Sequence, residues 1–346
     1  MEDERITKEL KEISEAEFIA FDQKFFDLIG SKPRLEPMFN LPLALREAPV
    51  YIPSSNLLYV SDMGEGKQMR INLTEKEPSL EYVSYHPQLD FINGAAYSEV
   101  DNLIYATVNP GGGSDITAGI YAIDPETLET HPILNNYVGH HFNSPNDLVI
   151  LDDGLWFTDP PYAALLGNGS AAELRPTVFF YNTTSRIVRA VEEDLQMPNG
   201  IALSPDNKIL YVADSGALCQ PMGQPTVATK HHSIYAYDIV NGQLHDKRLV
   251  YVSDFWVPDG VKVSRSGILY TAAGIFVDVI SPEGVLLGKI RTPESMQNLI
   301  FAGPKYDELW IVGIGGVFRT KMADQGIPFS SSMPQFHIQT QKRYRQ

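Results

Sequence analysis

Six times along the chain a polar residue stands just ahead of a short apolar stretch, and ten to twelve positions later an aromatic residue sits inside a second one. The polar residues are Glu47 (EAPVYI), Asn93 (NGAAYS), Asn146 (NDLVIL), Asn199 (NGIALS), Asp259 (DGVKVS) and Asn298 (NLIFAG), separated by 46, 53, 53, 60 and 39 residues. The aromatics are Tyr59, Tyr105, Trp156, Tyr211, Tyr270 and Trp310. Turn sequences such as Pro53-Ser-Ser-Asn56 and Ser204-Pro-Asp-Asn207 lie between the two stretches, and a third apolar stretch begins near Ile120, Val178, Ile234 and Val277. Six copies of a strand–turn–strand–strand unit fit an all-β fold, a six-bladed β-propeller whose blades bury one another's faces. A β-sandwich or two unrelated β domains would also be rich in short strands. Neither explains six matches at a near-constant offset.

The rest of the chain supports that reading. With 26 Gly and 24 Pro, turns are frequent and long helices are not expected. Helical spacing is confined to residues 5–30, where Ile6, Leu10 and Ile13, then Phe18, Phe21, Phe25 and Leu28, recur at three- and four-residue steps. Residues 1–32 are therefore expected to form a helical extension and 33–346 one propeller domain, the segment near 33–46 completing the last blade. At 346 residues two domains would be the ordinary expectation, but closed all-β folds run long as single units.

Charge and special residues exclude several functions. A formal charge of −16 disfavours nucleic acid and anionic membranes as partners. The single cysteine, Cys219, rules out an internal disulfide and a multi-cysteine zinc site. No apolar run is long enough to span a bilayer. The opening Met1-Glu-Asp-Glu-Arg5 lacks the pattern of a signal peptide, so a cytoplasmic protein is expected unless the chain is a mature form. The sequons at Asn72, Asn168 and Asn182 leave export open.

In a propeller the first strand of each blade runs along the central channel, so the six polar residues are expected to converge at one mouth. They are two carboxylates and four carboxamides, all oxygen donors. Such hard ligands select Ca²⁺ or Mg²⁺ over zinc, and neutral Asn oxygens favour Ca²⁺. Each Asn or Asp could also be only a turn residue, and Asn93, Asn199 and Asp259 are followed by Gly.

The segments EAPVYIP, FNSPNDLVI, MPNGIALSPD and VPDGVKV resemble the SMP-30/gluconolactonase family of calcium-dependent propeller hydrolases, its fungal lactonohydrolase branch above all. The resemblance extends over FDQKFFDLIGSKP, LNNYVGHHFNSPND, LWFTDPPY and PEGVLLGKI. It implies that Glu47, Asn146, Asn199 and Asp259 hold a catalytic Ca²⁺ (or Mg²⁺ or another divalent ion) and that Asn93 contacts oxygens of a small-molecule substrate. Asn298 is implied as an outer neighbour of the metal or a structural tie. The implied reaction is metal-assisted attack of water on a lactone carbonyl. Asp259, with Glu47 in the same shell, is the first choice for the proton acceptor. His141 is the alternative base and His140 a substrate contact, and both stand where Arg or Gln is expected in lactonohydrolase relatives. The long Gly/Pro-rich loop after Asp214 reads equally as a lid that brings Met222, His231 and His232 near substrate or as a solvated loop with no contact. Asp214, His232, Tyr162 and Trp256 complete the expected substrate wall, although both aromatics would serve equally as packing. Two other readings share the fold: a biosynthetic enzyme of secondary metabolism that orients an intermediate for cyclisation, and a non-catalytic calcium-binding propeller.

Overall fold

Strand-forming runs such as VYI, LIYATV, LWFTD and VFFYN pair with their sequence neighbours across short turns. In the computed structural model, which describes residues 11–109, 116–152, 154–165, 167, 171–218 and 229–328, they build successive antiparallel sheets. The first comprises Arg46–Ile52, Leu57–Asp62, Lys67–Asn72 and Ser79–Tyr82. The second comprises Ile92–Ser98, Leu103–Val108, Gly119–Ile123 and Thr130–Leu134. Leu148–Leu151, Gly154–Asp159, Thr177–Asn182 and Ile187–Glu192 make the third, and Pro198–Leu203, Ile209–Asp214, Ser233–Val240 and Gln243–Val252 the fourth.

The last sheet has seven strands, one of them the N-terminal Phe18–Ala20, which pairs with Gly288–Ile290. Val261–Val263, Leu269–Ile280, Leu286–Ala302, Glu308–Gly313 and Gly316–Lys321 follow in chain order, and Glu36–Asn40 closes the edge against Gly316–Lys321. That last pairing is the closure expected of the segment near 33–46. The two long strands change register partway. Leu269–Thr271 pair with Val261–Val263, and Phe276–Ile280 pair with the start of Leu286–Ala302, whose second half pairs with Glu308–Gly313.

Each sheet is apolar on both faces, so only other sheets can cover it. Tyr59 packs with Ile92 and Ile104 between the first and second sheets, and Tyr105 with Leu155 and Phe157 between the second and third. Trp156 lies with Val212 and Tyr237, and Tyr211 with Val261 and Leu269. Tyr270 and Trp310 join Tyr51, Leu58 and Val60, which returns the circuit to the first sheet. All six repeat aromatics are at most 4 % exposed, and each such ring removes roughly 150–250 Å² from water. The first-strand segments also touch in a closed circuit, Arg46–Ile52 meeting both Ile92–Ser98 and Leu286–Ala302. The chain is all-β, and its sheet count and cyclic packing fit a propeller.

The N-terminal segment departs from its helical spacing. Residues 11–15 are helical, but Phe18–Ala20 is a strand paired with Gly288–Ile290, and only Lys24–Ile29 resumes a helix. Asp22 Oδ1 accepts from the Lys24 amide at 2.8 Å, a local turn that leads from the strand into that helix. Phe25 is fully buried over Gly288, where a Cβ would lie 2.4 Å from the ring. Phe25→Ala should therefore cost about 3–5 kcal/mol in urea unfolding, as for a core phenylalanine. A loss below about 1 kcal/mol would mean that the segment is a loose appendage.

Candidate metal centre

The strand starts that carry the six polar residues are held by buried carboxylates at the far end of the second strand in three sheets. Asp159 accepts from the amides of Asn143 and Ser144 at 3.0 and 2.8 Å, fixing the segment that leads to Asn146. Asp214 accepts from the amides of Gln196 and Met197 at 3.0 and 2.8 Å, fixing the approach to Asn199. Asp62 accepts from Arg46 Nη2 at 3.3 Å, and the fully buried Arg46 also donates to the carbonyls of Pro42, Ala44 and Gly313, next to Glu47. The three acids end the motifs LLYVSD, LWFTD and ILYVAD, so their signal stood within the repeat itself.

Adjacent sheets are then joined at the level of the polar residues. Thr107 Oγ1 donates to the Asn146 carbonyl at 2.6 Å and Thr158 Oγ1 to the Asn199 carbonyl at 2.8 Å. Asn93 Nδ2 donates to the same Asn146 carbonyl at 3.3 Å. A Cβ on Gly200 would fall 2.2 Å from the Asp259 carbonyl oxygen, and one on Gly260 2.3 Å from the Asn298 side chain. Glycine is required there because a neighbouring backbone at Gly200, and the Asn298 side chain at Gly260, approach that closely. The circuit ends with Asn298 Nδ2, which donates to Glu47 Oε2 at 3.0 Å.

Glu47, Asn93, Asn146, Asn199 and Asn298 are all buried, and Asp259 is partly exposed. Asn199 Nδ2 donates to the Tyr162 hydroxyl at 2.9 Å and to Ser215 Oγ at 3.0 Å, and Ser215 in turn donates to the Pro258 carbonyl beside Asp259. Removal from water, reinforced by the charge of Asp259, pushes the Glu47 carboxyl well above the usual range. Loss of solvent and the charge of Asp147 raise Asp259 to about 7. Asp147 is paired with Lys262, Oδ2 to Nζ at 3.3 Å. Burial also raises the Tyr162 hydroxyl, with Asp259 and Glu47 adding to the effect. Among the described residues no group of three or more His, Cys, Asp or Glu side chains is placed to hold a metal ion. The donors gathered here are instead two carboxylates and several carboxamides. Their mutual repulsion in a desolvated site is what a hard divalent cation would offset, so the donor set fits Ca²⁺.

The other expected site residues divide. Tyr162, on the short helix Tyr162–Leu165, meets Asn199, and the helix is tied by the Ala163 amide to Ser144 Oγ at 2.7 Å. Asp214, expected to touch substrate, is 0 % exposed with its carboxylate taken by two amides and by His231 Nδ1 at 2.7 Å; its part is positional. His232 Nδ1 faces the Lys230 carbonyl, so His231 rather than His232 is linked to the site wall. His140 and His141 lie on an exposed two-stranded ribbon with Asn136–Tyr137, and both face Glu173. His141 Nδ1 is 2.9 Å from Glu173 Oε1 and the ring is 65 % exposed, which places neither histidine against the six polar residues. Trp256 and Phe255 are exposed on the segment before Asp259, over Gly274. Cys219 and Met222 lie outside the described residues, as do the tail 329–346 and Asn168. A cavity of about 220 Å³ is lined by residues that include Ala95, Ile150, Leu203, Phe301 and Lys262.

Residues 45–314 match the SMP-30/gluconolactonase/LRE-like region, a span that includes every one of the six polar residues. The chain belongs to the SMP-30/gluconolactonase/LRE-like family. The lactonohydrolase oryL of Aspergillus oryzae is 35% identical over 335 residues, spanning 91% of this chain and 76% of that one. A gluconolactonase of Zymomonas mobilis is 30% identical over 217 residues, 59% of this chain and 58% of its own length. Among solved structures, the Xanthomonas campestris gluconolactonase XC5397 superposes with a TM-score of 0.74 at 25% identity, covering 89% of this chain and 95% of that one.

The buried acids give the metal-free protein an unusual pH response. Glu47, Asp159 and Asp259 all bind a proton more tightly folded than unfolded, Asp159 being raised by burial to about 7. Their stabilising protonation is complete below the unfolded carboxylate value near 4 and is lost as pH rises toward 7. Unfolding in chelator should therefore need less urea at pH 7.5 than at pH 5, by more than about 1 kcal/mol. Equal or greater stability at pH 7.5 would contradict the assignment.

Proposed function

We propose that this chain is a calcium-dependent lactonase whose active site is one mouth of the axial channel of a six-bladed propeller. The seven-stranded sheet counts as two blades joined where the long strands change register at Gly274 and Met296. The described residues from 33 to 328 then form one domain. Glu47, Asn146, Asn199 and Asp259 are the residues that hold the ion. The observation that carries this reading is the series of contacts that leads in turn from Asn93 through Asn146, Asn199, Asp259 and Asn298 to Glu47, in a chain whose family relatives include lactonohydrolase oryL and a gluconolactonase.

Bound there, calcium supplies Lewis-acid polarisation of the lactone carbonyl and charge for the developing oxyanion. The chain's own residues do the rest. Asp259, the one partly exposed member of the set, is open to water from the mouth and accepts its proton as oxygen attacks the carbonyl. Ring opening then returns a proton to the leaving alkoxide and gives a hydroxy acid. Asn93 supplies an amide donor to substrate oxygens. Tyr162 and Ser215 hold the Asn199 amide so that its orientation does not wander between turnovers. Phe255 and Trp256 give an apolar wall at the rim. In this reading the exposed His140 and His141, which face Glu173, carry no proton of the reaction, and Asp259 rather than the alternative His141 is the base.

The test is acid release from a panel of aldonolactones and simple lactones. Activity should stop in EDTA and return with Ca²⁺, and Asp259→Asn should lower kcat/KM by about 10²–10⁴-fold, the usual worth of a general base. His141→Ala should change it less than threefold. Turnover that survives both EDTA and Asp259→Asn would contradict this function and favour a channel that only orients its substrate.

A further inference from the structure

We infer that Lys262 sets the net charge of the channel mouth and thereby fixes the site's preference for a doubly charged cation. This deepens the metal reading above and rests on it. Val261 and Val263 are buried against the fourth sheet, and strand alternation sends the intervening Lys262 the other way. Its Nζ crosses to Asp147 Oδ2, 3.3 Å away and 115 residues earlier in sequence. Asp147 is 3 % exposed, and its Oδ1 accepts from the Leu148 amide at 2.9 Å. It follows Asn146 directly, so it stands beside the proposed ligands without being one of them.

The four charged groups act on one another. Asp147 and Asp259 both bear on Glu47, Asp147 bears on Asp259, and Lys262 opposes the charge on Glu47. With all ionised, three carboxylates and one ammonium sum to −2. A divalent ion brings that total to zero, whereas a monovalent ion leaves a buried deficit and a trivalent ion a buried excess. An apolar pair at 147 and 262 would avoid the desolvation cost of this ion pair. The pair therefore has a use in charge matching that packing alone would not require.

Calorimetric titration of chelated, folded protein with Ca²⁺ and with La³⁺ tests this. Lys262→Met takes the total to −3, so Ca²⁺ should bind at least about tenfold tighter, and the La³⁺-to-Ca²⁺ affinity ratio should rise by about tenfold or more. Lys262→Arg, which keeps the charge, should stay within about threefold of wild type, as should K262M combined with Asp147→Asn, which restores −2. Should K262M fail to fold, Asp147→Asn alone takes the total to −1 and should weaken Ca²⁺ at least about tenfold. Wild-type binding with an unchanged affinity and ratio in folded K262M would overturn the inference alone. A wild-type protein that binds no Ca²⁺ would overturn the metal reading and the inference with it.

Discussion

Sheets that are apolar on both faces cannot be satisfied by water or by a single partner, and that constraint organises the whole chain. Each sheet must lie between two others, and the only finite arrangement of such a series is a ring. Tyr59, Tyr105, Trp156 and Tyr211 lie in four separate clusters between sheets, and Tyr270 and Trp310 share the one that returns to the first sheet. Once the ring closes, the first strand of every sheet meets its counterparts around an axis. Residues that are far apart in sequence then become neighbours because the packing leaves them nowhere else to be.

The polar chemistry at the axis is costly in isolation and is supported from behind. Asp62, Asp159 and Asp214 hold the segments that precede Glu47, Asn146 and Asn199, through backbone amides or the buried Arg46. Threonine hydroxyls and close glycine contacts then lock each strand start to the next. A site built this way resists relaxation, so like charges remain close instead of moving apart. That residual repulsion is the free energy a bound cation would recover.

Much of this was legible in the repeat. Glu47, Asn199, Asp259 and Asn298 share one network because their spacing reflects one position in a repeated unit, and spacing survives folding intact. Tyr162 reaches that network because Pro160-Pro161 turns the chain just after Asp159. Less was legible where the determinant is a tertiary contact. Phe18, Phe21 and Phe25 are spaced like a helix, yet an open sheet edge at Gly288–Ile290 drew Phe18–Ala20 into pairing. His140 and His141 looked placed for chemistry beside FNSPND, but a hydrogen-bonding partner, Glu173, lies 32 residues on in sequence and holds them at the surface. The Asp147–Lys262 pair was hidden for the same reason, since 115 residues separate the partners.

The central claim is that these strand starts surround one cation. A crystal structure of the protein soaked with calcium, with anomalous scattering recorded from a lanthanide-soaked crystal, tests it most directly. One strong peak is expected on the channel axis, within about 2.3–2.6 Å of oxygens from Glu47, Asn146, Asn199 and Asp259. An axis without a peak, beside carboxylates turned away from a shared centre, would contradict it.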